Sequence, residues 1–328
     1  MSAGNKIFVR AAACVNPFGE TEIKRHEVLT AGYAAPDLKK IIKKLCGQPL
    51  RQASHLVELG VIGAQTLKHS LAKTFGESLP QETRLYSATG LGDVSKNMKL
   101  FEQVTPPLSG LAAPFDFINS SANTTAFYVA KLLGLISRNL TISRDEFSFE
   151  TVLQTAVSDL TNGACHYGLV GGFDETANAA CPHFLKMAKN AGVIPGQGTG
   201  WLFLTNERKA ALGEITLAKL IRTDSFMDTD DWSAAITNSL VDYIDSDTPI
   251  CLLPGYNISR AETETITEKL RDCQVQDYIQ YSGAYFTAAA YGISRQFVSN
   301  HEHDRQYLHI MKSETGETMC VLFRVYSQ

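Results

Sequence analysis

Apolar runs of strand length alternate with stretches of helical spacing along the whole chain, and this alternation constrains the fold more than any other feature. Ile7-Phe8-Val9-Arg10-Ala11-Ala12-Ala13-Cys14-Val15 is apolar and stops at Asn16-Pro17-Phe18-Gly19, a buried strand ended by a turn. Asp37 to Cys46 reads as an amphipathic helix. Leu38, Ile41, Ile42 and Leu45 share one face, while Lys39, Lys40, Lys43 and Lys44 line the other. Arg51 to Phe75 reads as mainly helical, and Leu85 to Gly92 as a strand running into a glycine turn. Asn123 to Leu135 has apolar residues at helical spacing, and so does the stretch from Glu146 to Gly163. Tyr167 to Val170 and Gly198 to Thr205 have the length and composition of buried strands.

The pattern breaks at Asn206-Glu207-Arg208-Lys209 and then resumes. Ile215 to Ile221 is strand-like, Asp231 to Ile244 helical, and Pro249 to Leu253 strand-like again. Ala261 to Asp272 is helical, and Tyr278 to Ser282 leads into a small-residue helix, Thr287 to Gly292. Two strands close the chain, Tyr307 to Met311 and Met319 to Tyr326, joined by a hairpin around Gly316. The expected class is α/β, a layered fold with central sheets. It divides into an N-terminal half, 1-208, and a C-terminal half, 209-328, within one compact unit.

At 328 residues the chain exceeds the usual size of a single small core. Its net charge of −4 argues against a nucleic-acid partner. No apolar run is long enough to span a bilayer, and Met1-Ser2-Ala3-Gly4-Asn5-Lys6 lacks the apolar core of a signal peptide. The seven cysteines, at 14, 46, 165, 181, 251, 273 and 320, form no metal-like spacing. They read as reduced and mostly buried, in a cytoplasmic protein. His301-Glu302-His303-Asp304 reads as an exposed polar loop rather than a metal site, and no metal or cofactor is expected. Asp228-Thr229-Asp230-Asp231 reads as a helix cap. Cys165 and His166 adjoin at the start of a strand, where side chains alternate faces, so they form no dyad. Neither a phosphate-binding Gly-x-x-x-x-Gly-Lys nor a Gly-x-Ser-x-Gly is present.

The strand, turn, helix and strand running from Gly134 through Glu146 to Gly171-Gly172-Phe173-Asp174-Glu175 resembles the nucleophile region of β-ketoacyl synthases of the thiolase superfamily. Four other segments match in family order: Val9 to Gly19, Tyr86 to Gly92, Asn123 with its spacing to Gly134, and Gly196 to Leu204. The resemblance implies a thiolase-like fold, five-layered αβαβα, built from two similar halves. In that family a cysteine carries the acyl chain, two histidines and a lysine assist, and backbone amides form an oxyanion hole. Here Glu146 stands at the cysteine and Ser148 keeps the serine two residues on. The first histidine falls at or near Pro254, the second at Ala284, and the lysine near Ile279. The glycine-rich C-terminal loop is reduced to Ser313 to Thr318. No histidine lies between His183 and His301 to restore the set.

The resemblance therefore implies a catalytically degenerate subunit similar to a chain-length factor of type II polyketide or fatty-acid systems. Its partners would be an active ketosynthase paralogue, forming a heterodimer, and an acyl carrier protein with its phosphopantetheine-bound chain. Arg138, Asn139, Leu140, Thr141, Ile142 and Ser143 would pair across the dimer. Phe127 and Tyr128 would block the end of the chain tunnel, and Lys39, Lys40, Lys43 and Lys44 would dock the carrier. A bulky blocker suits that task, because each two-carbon unit gains only about 1.6 kcal/mol from burial, whereas overpacking costs rise steeply. The alternative is an atypical acyltransferase or malonyl decarboxylase using a rearranged site around Glu146.

Overall fold

The computed structural model describes residues 6–21, 28–106, 110–176, 192–223, 227–313 and 315–327. The first five residues, Cys181, His183 and Glu314 lie outside them. The first half contains β1 (Ile7–Val15), α1 (Lys39–Cys46), α2 (His55–Phe75), β2 (Arg84–Ala88), α3 (Val94–Val104), α4 (Pro114–Asn119) and α5 (Thr124–Leu133). It continues with β3 (Asn139–Ile142), α6 (Ser148–Thr161), β4 (Tyr167–Asp174) and β5 (Gly198–Thr205). The second half contains β6 (Gly213–Arg222), α7 (Thr229–Leu240), β7 (Ile250–Pro254), α8 (Arg260–Lys269) and β8 (Gln274–Val275). It ends with α9 (Ile279–Ser282), α10 (Ala288–Val298), β9 (Arg305–Lys312) and β10 (Glu317–Val325).

The ten strands form one continuous sheet in the order β3-β2-β4-β5-β1-β6-β10-β9-β7-β8. From the β1–β6 seam outward, each side runs first, fifth, fourth, second and third strand, so the topology of one half repeats in the other. Strands β2, β3 and β4 are parallel, as are β7, β8 and β9. Parallel neighbours need crossover connections, which the intervening helices supply. The remaining pairs are antiparallel, including the β1–β6 seam and the β9–β10 hairpin.

Three apolar clusters define the layers. The side chains of β10 sort by parity, with Met319, Val321 and Phe323 entering one cluster and Cys320 and Leu322 another. The central cluster joins α6 and α10 to β1, β2, β4 and β5 of the first half and β7, β9 and β10 of the second. An outer cluster packs α1, α2 and α5 on the first half, and another packs α7 and α8 on the second. The result is the five-layered αβαβα arrangement. Both faces of the sheet are covered, which is why β1 and β5 read as unbroken apolar runs. Close packing of α10 on β5 requires Gly200, where an added Cβ would lie 1.9 Å from the Ala290 carbonyl oxygen.

Candidate functional site

Glu146 lies in a short 3-10 turn, Asp145–Phe147, between β3 and α6. Asp145 holds φ at 45°, a left-handed conformation that costs most side chains energy and that Asp tolerates best along with Asn. Ser148 is fully buried and closes this turn. Its hydroxyl accepts from the Arg144 amide at 2.7 Å and donates to the Asp145 carbonyl at 2.8 Å. Both functions of that hydroxyl are thus spent on backbone.

Glu146 is itself half-buried, and Tyr256, just after β7 in the second half, is near enough to feel its charge. Burial pushes the Tyr256 hydroxyl well above the usual phenol range, and the carboxylates of Glu146 and Glu150 add to the effect. Pro254 is the last residue of β7, Ile279 opens α9, and Ala284 is fully buried. Ala284 donates its amide to the Ile194 carbonyl and forms a bridge with Pro195. The four positions singled out by the sequence resemblance thus hold a half-buried carboxylate, a strand-end proline, a buried alanine and a buried isoleucine.

Aromatic side chains fill the surrounding space. Tyr256, Tyr278, Tyr285 and Phe286 are all buried. Phe286 occupies the space above Gly90, where an added Cβ would fall 2.3 Å from the Phe286 Cβ. The crevice lined by Leu91, Gly92, Val94, Asp174, Glu175, Tyr285 and Phe286 has about 10 Å³ of free space, room for one water.

Asp174 anchors this filling from the end of β4. It accepts from the Thr89 hydroxyl at 2.7 Å, the Gly90 amide at 2.9 Å, and the Thr287 amide and hydroxyl at 2.9 and 2.8 Å. Burial nevertheless pushes its carboxyl up to about 6, against the opposing pull of these bonds. Glu175 in turn accepts from the amide and hydroxyl of Ser95 at the start of α3.

One pair at the site was not legible in advance. His309 on β9 and Glu150 on α6 are fully buried, with Nε2 2.9 Å from Oε1. His309 Nδ1 lies 3.0 Å from the Leu253 carbonyl oxygen and therefore carries a proton. Among the described residues Glu150 Oε2 and the Tyr278 hydroxyl have no hydrogen-bond partner. Among the described residues no cysteine is hydrogen-bonded to them. Cys165 is buried at the far end of β4, 3.6 Å from the Tyr86 hydroxyl, with His166 exposed beside it.

The remaining expected positions lie on the surface. Among the described residues strand β3 ends the sheet, paired on one side to β2 and to no strand on its other edge. Around it Phe127 and Ile136 are exposed, and Tyr128 is half-buried in edge-to-face contact with Phe127. Met98, Phe101, Phe115, Phe117 and Ile118 of α3 and α4 are exposed as well. Lys39, Lys40, Lys43 and Lys44 project into solvent from α1. Residues His301 to Asp304 form an irregular segment, and the Asp228 side chain caps α7. No helix among the described residues is long and apolar enough to cross a membrane.

No protein-family model matches the chain, and no curated protein matches it by sequence. Solved structures do match it in shape. The ishigamide ketosynthase/chain length factor superposes with a TM-score of 0.74 at 15% identity, covering 98% of this chain and 100% of that one. A chain of a type II polyketide synthase acyl-carrier protein in complex with its ketosynthase gives 0.71 at 13% identity, covering 98% and 99%. A β-ketoacyl synthase from Burkholderia phymatum STM815 gives 0.70 at 13% identity, with the same coverage. Identity this low speaks to architecture, and the architecture is plain: the chain has the thiolase-like fold of the ketosynthases.

Proposed function

We propose that this chain is a catalytically silent ketosynthase-like subunit that pairs with an active ketosynthase and shapes its acyl or polyketide tunnel. The observation that carries the reading is the filled site. Where a condensing enzyme needs a thiolate and donors for an enolate, this chain has Glu146, Pro254, Ala284 and Ile279, and Tyr256, Tyr285 and Phe286 are buried in the same central cluster as Ala284 and Ile279. A carboxylate at position 146 would repel the negative charge such a reaction develops. The open edge of β3 and the exposed apolar side chains near it support a partner surface.

In this reading residues 138 to 143 pair with the partner's equivalent strand in a heterodimer. Phe127 and Tyr128 reach the partner's tunnel and limit chain length. The α1 lysines attract an acidic carrier protein, and the two halves divide at 208/209. The protein acts in the cytoplasm as part of a polyketide or fatty-acid system.

The test is reconstitution with a type II ketosynthase and its carrier protein. The expected result is a 1:1 complex by native mass spectrometry, with Phe127→Ala lengthening the product by at least one two-carbon unit. Failure of this chain to bind any ketosynthase encoded beside it would contradict the reading. Release of carbon dioxide from malonyl carrier by this chain alone, lost in Glu146→Ala, would establish the decarboxylase alternative instead.

A further inference from the structure

Helices α3 and α4 are fixed to the rest of the chain by polar contacts. Among the described residues no side chain of either belongs to the three apolar clusters, and α3 buries none of its own. The two helices are instead locked to each other. Buried Asp116 of α4 accepts from Lys96 Nζ at 3.0 Å, Lys99 Nζ at 2.9 Å and Gln103 Nε2 at 2.8 Å, all on α3. Two helices joined in this way, without apolar anchorage, open as one unit at low cost. Both ends suit a hinge. Gly92 holds φ at 72° just before α3, and residues 120 to 123 form a turn after α4.

The catch is a pair of carboxylates at the start of α3. Asp93 Oδ1 accepts from the Lys96 amide at 2.9 Å. Glu175 Oε1, just past β4, accepts from the Ser95 amide at 3.1 Å and the Ser95 hydroxyl at 2.8 Å. The two acids thus bind consecutive amides of one helix end, and both are buried. Asp93 Oδ2 has no hydrogen bond among the described residues. The groups facing Asp93 are the Ser54 hydroxyl before α2, Glu175 after β4, and Lys96 of α3, whose ammonium already holds Asp116. Burial, aided by the Glu175 charge, pushes the Asp93 carboxyl up to about 6, against the pull of Ser54 and Lys96. Carboxylates held on neighbouring amides and shielded from water resist ionising together. Val94, the first residue of α3, and Glu175 also line the narrow crevice beside Tyr285 and Phe286, so α3 forms part of its wall.

We infer that α3 and α4 are one lid, shut over this crevice while Asp93 carries a proton beside ionised Glu175, and released when both acids are ionised. Opening frees Asp93 to water, where its proton leaves near the ordinary value of about 3.9. The shut form therefore binds a proton that the open form has lost, and rising pH favours opening. The motion belongs to this chain alone and stands or falls apart from the proposed pairing.

The test is hydrogen exchange of the full chain at pH 5 and pH 7.5, read by mass spectrometry and corrected for the intrinsic exchange rate. Peptides of α3 and α4 should be less protected than those of α10 at both values, and their protection should fall about tenfold as the pH rises. Asp93→Asn keeps a cap without the charge and should reduce that fall to about threefold or less. If Asp93→Asn does not fold, as judged by circular dichroism, Asp93→Ser decides, because serine also caps without charge. Protection of α3 and α4 equal to that of α10, protection that does not fall with pH, or a fall undiminished in a folded Asp93 variant would overturn the inference.

Discussion

His309 and Glu150 are 159 positions apart in sequence and meet in the central layer, one from each half. A charged or protonated pair with no solvent access depends on both members, and removing one leaves the other buried and uncompensated. Glu150→Ala and His309→Ala should each cost about 3–5 kcal/mol in urea unfolding. The double substitution Glu150→Leu/His309→Leu should cost clearly less than the sum, because both polar groups leave together. Strict additivity would show that the two do not act as a pair. Asp174 has a different signature. Its folded carboxyl titrates near 6, above the unfolded value of about 3.9, so the folded chain binds more protons between them. Its contribution is fully present below about pH 4 and declines as pH rises towards 6, by about 3 kcal/mol at most. The stability advantage of the natural chain over Asp174→Asn should therefore narrow from pH 4 to pH 6, measured by denaturant titration at each pH. A gap that widens over that range would refute this account of Asp174.

At the scale of elements, the open edge of β3 and the exposed faces of α3 and α4 carry the partner hypothesis. Phe117 is 64% exposed and Ile136 78% exposed, so neither contributes to the chain's own core. Phe117→Glu and Ile136→Glu should leave the melting temperature within about 2 °C of the natural chain, as surface changes do. They should weaken association with a ketosynthase at least tenfold by calorimetry. Unchanged association would remove this surface from the interface. The same elements mark where sequence reading stops. Strands β1 and β5 and helices α2, α5 and α6 follow from periodicity, because each has a face or run committed to the core. Helix α3 buries no side chain, so its apolar residues have no core-facing period to read. Helix α4 has six residues, and β8 has two exposed ones. The strand–turn–helix–strand order that resembles the ketosynthases was legible because it rests on residue types at spaced positions. The His309–Glu150 pair was not, since a lone histidine in an apolar strand looks like any core residue. The burial of Tyr256, Tyr285 and Phe286 was equally hidden, because they join one cluster only when residues 29 and more positions apart are folded onto α6 and α10.

At the scale of the whole molecule, the repeated strand order shows what holds the fold together independently of any chemistry. Each half encloses one central helix, α6 or α10, and the central cluster draws on both halves. Glu146, Pro254, Ala284 and Ile279 lie at element ends and turns, where a change of residue leaves the layers intact. In the proposed reading the buried aromatic side chains add packing where an active enzyme must keep a cavity, and packing of that kind stabilises at the expense of turnover. The most direct measurement is intact-protein mass spectrometry of the isolated chain after incubation with acyl and malonyl carrier proteins. The account predicts no covalent acyl adduct, no condensation product and no carbon dioxide release. A stable acyl adduct on the chain, or product formed in the absence of any other ketosynthase, would contradict it.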